Sequence, residues 1–487
     1  MYERVRITGV LHLCSDLHVG SGDVEDIKQR VNDAEEGSYR RVTLDHEGKP
    51  FIPASTLRGW LRAYARSIGS AGNQQVKIFE VNGFGYSNDI GRKAGRIRVQ
   101  DAPLRSSVSA AVYPKSWDEN SLTHLRHGIA LDSRTGVVED HKLFHYEVIP
   151  AGSKFTFCIE MDKCATEELP LVFGLLAGWD GSQTAAIGGD SGTGQGRLQW
   201  KLEKVETITA KSIETWLAGK HESAWQVMTQ IPALPVLSTH FVSLRFGLDA
   251  LGGLLVNDPD WVQEKQHDDD HSPKQVYNRS LEGKARVPGR SLRGLIRARA
   301  QRILATLLHQ KGVNAETANQ QANKLLEPFF GSEQKAGCLF LSDALPVKQH
   351  ISSLRPSIAV DRFVGGVKGG SKGADDGALW AAEVIEQMEW QGDARLDTAR
   401  LPAENWWKGL LLFVVRDALE GDLAIGSGKS KGLGQFRLKL YLPDGSPIAD
   451  WKTLLEYLKT NGHDASAWVQ SLRTYLSEYT QKKEKAA

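Results

Sequence analysis

The sequence contains Pro53-Ala54-Ser55-Thr56-Leu57-Arg58-Gly59-Trp60-Leu61-Arg62-Ala63 and repeats it as Pro288-Gly289-Arg290-Ser291-Leu292-Arg293-Gly294-Leu295-Ile296-Arg297-Ala298, at an offset of 235 residues. In both copies a Pro precedes Leu-Arg-Gly by four residues, and the element is expected to open a helix. Such recurrence at a fixed spacing indicates that the chain contains two copies of one structural unit.

Four further blocks recur in the same order, with offsets between 229 and 242. They pair Arg96–Ala102 with Cys338–Ala344, Ile129–Asp132 with Ile358–Asp361, Leu143–Ile149 with Leu379–Ile385, and Ile187–Gly196 with Ile425–Gly434. Five blocks in register are unlike chance similarity, so we predict two homologous domains. These occupy residues 1–205 and 240–442, joined by a connector over 206–239 and followed by a C-terminal helical tail over 443–487.

Length and composition agree with a globular two-domain protein. The 487 residues are too many for one ordinary core. No apolar run is long enough to span a membrane, the start of the chain lacks the apolar core of a secretory signal, and the four cysteines form no Cys-x-x-Cys pair. We therefore expect a cytoplasmic protein without membrane contact. The net charge is only +1, so any binding of nucleic acid must depend on local clusters.

The repeated helix carries one such cluster. Arg58 and Arg62 lie four residues apart on one predicted face, as do Arg293 and Arg297, and neither helix contains a Glu partner for them. Ser55 or Thr56 is expected to cap the first helix, and Ser291 the second, beside Arg290. An unpaired arginine face next to a helix N-terminus predicts a phosphate site, although a solvated helix face is the plainer interpretation.

Gly-rich segments near the end of each copy form the second candidate site. They contain Gly192, Gly194 and Gly196 in the first copy and Lys429, Lys431 and Gly432 in the second. So many glycines indicate that a backbone comes close, either another strand or a nucleic-acid chain. The spacing excludes a nucleotide P-loop, because no Gly-Lys-Ser/Thr follows Gly at the required distance.

These motifs, in this order, resemble RAMP proteins, the backbone subunits of type III CRISPR effector complexes. The resemblance rests on Pro53–Gly59, Asp132–Gly136, Leu143–Gly152 and Ile187–Gly196 in the first copy and on Pro288–Gly294, Asp361–Gly365 and Ile425–Gly434 in the second. It covers most of both copies and leaves the connector and the tail unmatched. The tandem fusion resembles the type III-D branch.

The resemblance implies an α+β fold of two tandem ferredoxin-like (RRM-like) domains, each with a thumb-like hairpin insertion. It implies that both copies hold the backbone of a guide RNA (crRNA), while base pairing between guide and target RNA supplies the specificity. The implied partners are crRNA, complementary target RNA, the large polymerase-like subunit and further RAMP backbone subunits.

Family members that cut target RNA use an Asp in the loop before the Pro-x-Ser-x-Leu element, together with a divalent ion, Mg²⁺ or Mn²⁺. The resemblance therefore points to Asp33 in the first copy and to Asp268, Asp269 or Asp270 in the second, with Asp33 and Asp270 as metal ligands. From the residues alone, solvated loop acids are an equally good interpretation.

Two alternatives stay open. The chain could be a purely structural crRNA-binding subunit, in which case these acids do not matter. It could instead be a guide-processing endoribonuclease, in which His or a Tyr/Lys set acts as general acid and base without metal. Sensitivity to a chelator separates the second alternative from metal-dependent cleavage.

Overall fold

The computed structural model describes residues 1–29, 37–88, 91–110, 112–131, 138–182, 185–232, 237, 239–261, 275–332, 334–358, 360, 363 and 379–486. The chain forms two compact units. Unit 1 consists of Met1–Ala111, Ser116–Arg126 and Phe144–Phe241, and unit 2 of Val112–Lys115, His127–Leu143 and Val242–Ala487. Two stretches from the first sequence repeat therefore belong to the unit that holds the second repeat. The predicted boundaries describe the repeats, and they stay a prediction.

The first repeat and the connector contain these elements. The strands are β1 (Tyr2–Leu13), β2 (Gly20–Asp26), β3 (Ser38–Val42), β4 (Phe51–Ile52), β5 (Tyr86–Asn88), β6 (Gly91–Lys93), β7 (Ile97–Val99), β8 (Ala102–Ser106), β9 (His124–Leu131), β10 (Val138–Val148), β11 (Lys154–Cys164), β12 (Leu198–Ile208) and β13 (Gln226–Val227). The helices are α1 (Ala54–Ser70), α2 (Gln74–Phe84), α3 (Leu169–Leu176) and α4 (Ile213–Leu217).

The main sheet of unit 1 has the strand order β13-β12-β1-β11-β8-β4. Its centre is antiparallel, and Ile7 of β1 lies opposite Ile159 of β11 and Val205 of β12. Alternate residues of β1 are buried, as the period of two in its sequence predicts, and they pack with Leu57 and Leu61 of α1. Taking β1, α1, β8, β11, α3 and β12 as βαββαβ, the strand order is 4-1-3-2, the ferredoxin-like arrangement.

The second repeat and the tail follow the same plan. The strands are β14 (Phe241–Ala250), β15 (Leu339–Leu341), β16 (Leu345–Pro346), β17 (Ser352–Ile358), β18 (Leu379–Ile385), β19 (Glu389–Asp397), β20 (Leu423–Ala424), β21 (Gln435–Tyr441) and β22 (Pro447–Ile448). The helices are α5 (Gly289–His309), α6 (Ala315–Phe330), α7 (Trp406–Leu419), α8 (Trp451–Thr460) and α9 (Ala465–Ala486). The sheet order is β15-β19-β14-β21-β20, which is again 4-1-3-2 with one added strand.

The C-terminal tail forms the helix pair α8 and α9, as its apolar spacing predicts. Helix α9 buries Leu472 and Leu476 in a cluster with α5, α6 and α7, and the ring of Tyr475 stacks on Trp406 at 4.9 Å between centroids. The tail is therefore part of the helical layer of unit 2. In the connector, Trp216 lies in α4, whereas Trp225 follows the short 3₁₀ turn Glu222–Ala224 and is extended.

Among the described residues, no helix combines the length and the apolar character that crossing a bilayer requires. The expected α+β fold with two ferredoxin-like domains is confirmed.

Candidate nucleic-acid interface

Helices α1 and α5 begin in the same way. Each follows a Pro, and the first helical N–H donates to an aspartate: Ala54 N to Asp101 Oδ1 at 2.7 Å, and Gly289 N to Asp343 Oδ1 at 2.8 Å. The expected caps are wrong, because neither Ser55, Thr56 nor Ser291 makes a capping hydrogen bond. The aspartates come from the recurring blocks at Arg96–Ala102 and Cys338–Ala344, which gives that repeat a structural role.

The arginines of α1 are held by the neighbouring helix. Arg62 Nε lies 2.6 Å from Glu80 Oε1, and Arg66 Nε lies 3.0 Å from the same oxygen, while Glu80 is buried in α2. Arg62 also donates to the Gly85 carbonyl at 2.7 Å, and Arg58 donates to the Phe84 carbonyl at 2.6 Å. The expectation of an unpaired arginine face is therefore wrong for α1, because its carboxylate comes from α2.

Helix α5 repeats part of this arrangement. Arg293 donates to the Phe330 carbonyl at the end of α6, at 2.9 Å, and to the Leu339 carbonyl in β15. The first-copy counterpart is the contact of Arg58 with Phe84. Arg297 lies exposed on the helix surface, and Arg290 and Ser291 are partly exposed beside the helix N-terminus. Among the predicted RNA-binding arginines, Arg297 is thus exposed on the helix surface. Arg58, Arg62 and Arg293 instead donate to carbonyls at the C-terminal end of the next helix.

A glycine stands on the exposed face of each of these helices. No described heavy atom lies within 4 Å of the position that a Cβ would occupy at Gly59 or Gly294. Glycine inside a helix costs about 1 kcal/mol relative to alanine, and here no packing among the residues that the structure describes requires it. Both copies nevertheless have it, next to Ser55 in α1, which is also exposed. The surface at the start of each helix is accordingly suited to the close approach of another molecule.

The Gly-rich loops share one backbone conformation. In unit 1 a 3₁₀ turn at Ser191–Thr193 lies between two left-handed residues, Asp190 with φ of 55° and Gly194 with φ of 91°. In unit 2 the turn at Lys429–Lys431 lies between Gly428 with φ of 72° and Gly432 with φ of 80°. Left-handed backbone at both ends of a short turn explains why glycine recurs there.

The close approach that these glycines predict is to the protein's own backbone. A Cβ at Gly196 would overlap with the carbonyl oxygen of Ile187, and a Cβ at Gly434 would overlap with that of Ile425. Both loops are closed at this point, with Ile187 N donating to Gly196 O and Ile425 N to Gly434 O at 2.9 Å in each case. The sequence predicts that either another strand or a nucleic-acid chain comes close to these glycines. At Gly196 and Gly434 it is another segment of the same chain.

Each loop also rests on the turn that follows the first strand of its repeat. Gly189 N donates to His18 O at 2.8 Å, and Ser427 N donates to Leu255 O at 2.7 Å. These bonds pair His18 with Leu255 as equivalent positions. By the same logic Asp16 and Gly253 are equivalent, because their carbonyls accept from Gly196 N at 2.8 Å and from Gly434 N at 2.9 Å.

Strand β9 in unit 1 and strand β17 in unit 2 each supply a guanidinium to this turn, a feature that the sequence analysis missed. Arg126 Nη1 lies 3.4 Å from Asp16 Oδ2, and Arg355 Nη2 would lie 2.8 Å from a Cβ at Gly253. The two arginines share the 229-residue offset of the block at Ile129–Asp132, so extending that block by three residues would have found them.

The predicted catalytic acids, Asp33, Asp268, Asp269 and Asp270, lie outside the described residues, as do Asp132 and Asp361. The nearby Asp258 and Asp260 are described and buried. Asn278 Nδ2 donates to Asp258 Oδ2 at 2.5 Å, and Asp260 Oδ1 lies 4.0 Å from His127 Nε2. Within the described ranges, no group of three or more His, Cys, Asp or Glu side chains is arranged to hold a metal ion.

Comparison with known proteins agrees with this architecture. The sequence profile of the RAMP superfamily matches residues 10–199 and 269–437. The CRISPR system Cms endoribonuclease Csm3 of Enterococcus italicus is similar to this chain, with 22% identity over 223 residues, which cover 43% of the chain and 94% of that relative. The profile spans well over half of the chain and matches both repeats. This chain belongs to the RAMP superfamily.

Proposed function

We propose that the chain is a crRNA-binding backbone subunit of a type III CRISPR effector complex, and that it cuts target RNA paired to the guide. The name of the E. italicus relative, a CRISPR endoribonuclease, supports both parts. The tandem arrangement supports a ligand that extends over two equivalent sites, as a single RNA strand does.

The observation that carries the proposal is the repetition of one site. Each unit places a Gly-rich 3₁₀ loop on the turn after its first strand, and each opens its first long helix with an exposed glycine. A structural role alone does not explain exposed glycines at Gly59 and Gly294. A phosphate backbone that passes close to both helices does, because it needs space and N–H donors rather than bulky side chains.

The outer face of the unit 1 sheet argues against recognition of bases by stacking. Arg4 and Arg6 project from it and pair with Glu160 at 2.7 and 2.9 Å, and the guanidinium of Arg6 lies 4.1 Å from the ring centroid of Trp225. This face is already covered by ion pairs and by the connector. RNA would therefore be held through its backbone, which leaves the bases of the guide available for pairing.

For target cleavage we propose Asp33 in the first copy and one of Asp268, Asp269 and Asp270 in the second. Asp33 in the first copy and Asp270 in the second would each help to hold a divalent ion, Mg²⁺ or Mn²⁺, which when bound stabilises charge on the phosphate and activates an oxygen nucleophile. The chain's own contribution is to hold the target phosphate in line with that nucleophile. The burial of Asp258 and Asp260 and their contacts with Asn278 and His127 argue for a structural role of these two acids.

The proposed partners are crRNA, complementary target RNA, the large polymerase-like subunit and further RAMP subunits. The fusion of two RAMP domains in one chain supports placement in the type III-D branch.

The test is reconstitution with crRNA and the neighbouring subunits, followed by mapping of cuts in labelled complementary RNA with Mg²⁺. Wild type is compared with Asp33→Ala, with the triple Asp268→Ala/Asp269→Ala/Asp270→Ala, and with a chelator. Asp23→Ala serves as the matched control, because Asp23 is an exposed acid in strand β2, ten residues before Asp33 in the sequence.

We expect regularly spaced cuts, one set lost in each variant, all lost with the chelator, and none lost in the control. Binding of crRNA with unchanged cuts in both variants would leave a structural subunit. Cuts in the guide that persist with the chelator would favour the processing endoribonuclease.

A further inference from the structure

Helix α2 of unit 1 and helix α6 of unit 2 end in the same way. Gly85 N donates to Val81 O at 3.0 Å, and Gly331 N donates to Glu327 O at 2.7 Å. Both glycines are left-handed, with φ of 72° and 75°. These hydrogen bonds identify Val81 and Glu327 as equivalent positions, so the outer sides of the two helices can be compared residue by residue.

The outer side of this helix is apolar in unit 1 and charged in unit 2. Ile78 is 60% exposed and Val81 is 38% exposed. The equivalent positions of α6 hold Lys324 and Glu327, which are exposed as well. Because Ile78 and Val81 are three residues apart, their side chains are neighbours on the helix surface and form one apolar patch.

Helix α2 therefore has apolar side chains on two sides. Its inner side buries Val76, Phe79 and Phe84, and its outer side carries Ile78 and Val81. A helix at the surface of a domain typically has one apolar stripe, which faces the core. A second apolar surface with a polar rim is typical of a place that another protein covers.

The loop after α2 extends this outer side. It is nine residues long (86–94) and contains the hairpin of β5 and β6, whereas the equivalent loop after α6 is five residues long (332–336). Lys93 Nζ donates to Asn82 Oδ1 at 3.0 Å, which places the hairpin beside the last turn of α2. The hairpin begins with Tyr86, which is 37% exposed. Unit 1 thus has an exposed aromatic residue where unit 2 has a short turn.

The exposed charges around these apolar residues are positive. In α2, β5 and β6 the exposed charged side chains are Lys77, Arg92 and Lys93. Glu80, the acid of α2, is buried and paired with two arginines of α1. A positive rim around an apolar centre is complementary to a partner whose own rim is negative. The α2 surface consists of Ile78, Val81, Tyr86, Lys77, Arg92 and Lys93.

We propose that the α2 surface binds an amphipathic helix of another protein, with an apolar stripe flanked by acidic side chains. The stripe covers Ile78, Val81 and Tyr86, and the acids pair with the cations of α2 and β6. Apolar anchors at helical spacing are a recurring way in which proteins bind a helix. Lys324 and Glu327 replace the apolar pair in unit 2, so this partner binds unit 1. The proposal goes beyond RNA binding and does not depend on it.

Single-stranded RNA fits the α2 surface less well than a helix does. Proteins bind single-stranded RNA by stacking bases on aromatic rings and by placing cations along the phosphates. Ile78 and Val81 provide neither a ring nor a charge, yet they form the centre of the surface. Their burial is favourable only against another apolar group.

The test measures, by anisotropy, binding of the full-length chain to three fluorescein-labelled peptides of about 18 residues, enough for about five helical turns. The acidic peptide has Leu at helical spacing on one face and Glu on both flanks. The scrambled peptide has the same composition without that spacing. The basic peptide has Lys in place of Glu.

Two variants of the chain test the two parts of the surface. Ile78→Lys/Val81→Glu gives α2 the side chains of α6 and leaves the net charge unchanged. Arg92→Gln/Lys93→Gln removes two cations of the rim. The matched control is Lys324→Gln/Glu327→Gln, which changes the equivalent exposed positions of α6 and also leaves the net charge unchanged. Circular dichroism should show all variants folded.

We expect the acidic peptide to bind wild type about 10-fold more tightly than the scrambled or the basic peptide. Ile78→Lys/Val81→Glu should lose that preference, and the control should keep it. Arg92→Gln/Lys93→Gln should weaken binding of the acidic peptide by about 2- to 10-fold, since two exposed ion pairs are lost. Its binding should also depend less on KCl between about 50 and 200 mM.

An acidic peptide that binds wild type no more tightly than the scrambled peptide overturns the docking surface. So does an acidic peptide that binds Ile78→Lys/Val81→Glu as tightly as wild type. Unchanged binding to Arg92→Gln/Lys93→Gln would overturn the acidic character of the partner. Single-stranded RNA that displaces the acidic peptide from wild type would assign the α2 surface to RNA instead.

Discussion

Asp101 and Asp343 are single residues on which the start of each long helix depends. Each accepts the first helical N–H from a position 47 or 54 residues away in the chain. A carboxylate there satisfies an N–H that has no partner inside the helix and also interacts favourably with the helix dipole. Since the preceding residue is Pro in both copies, this acceptor replaces the usual side-chain cap.

We expect Asp101→Ala to lower the free energy of unfolding by about 1 kcal/mol, the typical cost of losing a helix cap. Urea denaturation followed by circular dichroism measures it. Asp101→Asn keeps an acceptor oxygen and should recover most of the loss. If the alanine and asparagine variants are equally unstable, the hydrogen bond to Ala54 is not the reason for the aspartate.

His350 should make stability depend on pH. Its Nε2 lies 3.0 Å from Tyr277 Oη, and burial, with the nearby Arg279, lowers the pKa of His350. The unfolded chain, with a His pKa near 6.5, then binds a proton that the folded chain resists. The contribution of this neutral histidine is present above about pH 6.5 and is lost as pH falls through the lower folded value.

Unfolding free energies measured between pH 7.5 and 5 should fall less steeply for His350→Gln than for wild type. Tyr277→Phe is the control, because it removes the hydroxyl that contacts His350 and keeps the His350 imidazole, which is the group that titrates. Identical pH slopes in wild type and His350→Gln would show that His350 does not titrate differently on folding.

Residue partners were the least predictable part of the molecule. The block that contains Asp101 is visible in the sequence, but its role depends on a helix far away in the chain. Likewise the partner of Arg62 is Glu80, 18 residues later on another helix, whereas spacing arguments consider only neighbours on the same helix. An arginine face without a local acid can therefore be neutralised by tertiary contacts.

The Gly-rich loops show what an element can require of its sequence. Gly434 has φ of 80° and no space for a Cβ beside Ile425 O, whereas Gly432, also at 80°, has open space around it. Gly432 and Gly434 thus share one φ value, but only at Gly434 would a Cβ clash with a neighbouring atom. This pair separates the cost of left-handed backbone from the cost of a clash.

Gly432→Ala should cost about 1–2 kcal/mol, the penalty for a side chain in the left-handed region. Gly434→Ala should cost about 2–5 kcal/mol, because overpacking adds to that penalty. Chemical denaturation gives both values. Equal losses would mean that the Ile425 backbone moves aside without cost.

Helices and strands with a strong apolar period agree with what their sequence predicts. The alternation at the start of β1, the helices after Pro53 and Pro288 and the C-terminal pair were all predicted from spacing. The sequence of the connector predicts a short helical stretch around Trp216 and Trp225. The structure confirms it at Trp216, but Trp225 is extended and packs on the arginines of β1. A short apolar stretch does not distinguish these two conformations.

The compact units of the molecule do not coincide with the sequence repeats. Unit 2 includes Val112–Lys115 and His127–Leu143 from the first repeat, and Lys115 N donates to Asp260 O at 3.0 Å inside that unit. A repeat in sequence predicts two similar folds, but it does not show in which compact unit each segment packs. Domains predicted as contiguous ranges therefore could not place segments of the first repeat in unit 2.

A fragment of residues 242–487 should be less stable than the same region in the full chain, because it lacks these segments. Loss of the hydrogen bond from Lys115 N to the carbonyl of the buried Asp260 should alone lower the free energy of unfolding by about 1–3 kcal/mol. Differential scanning calorimetry of the fragment against the full chain measures the difference. A fragment that melts at the same temperature as unit 2 in the full chain would show that the two segments of the first repeat do not stabilise unit 2.

The division of the chain into these units also determines what a break in the chain would do. A protease that cuts the connector would separate two polypeptides in the covalent sense only, because unit 2 is built from residues on both sides of the cut. The nicked protein should remain together during gel filtration and separate only in denaturant. The segments Val112–Lys115 and His127–Leu143 are thus held in unit 2 by tertiary structure, in addition to the peptide bonds that join them to the first repeat.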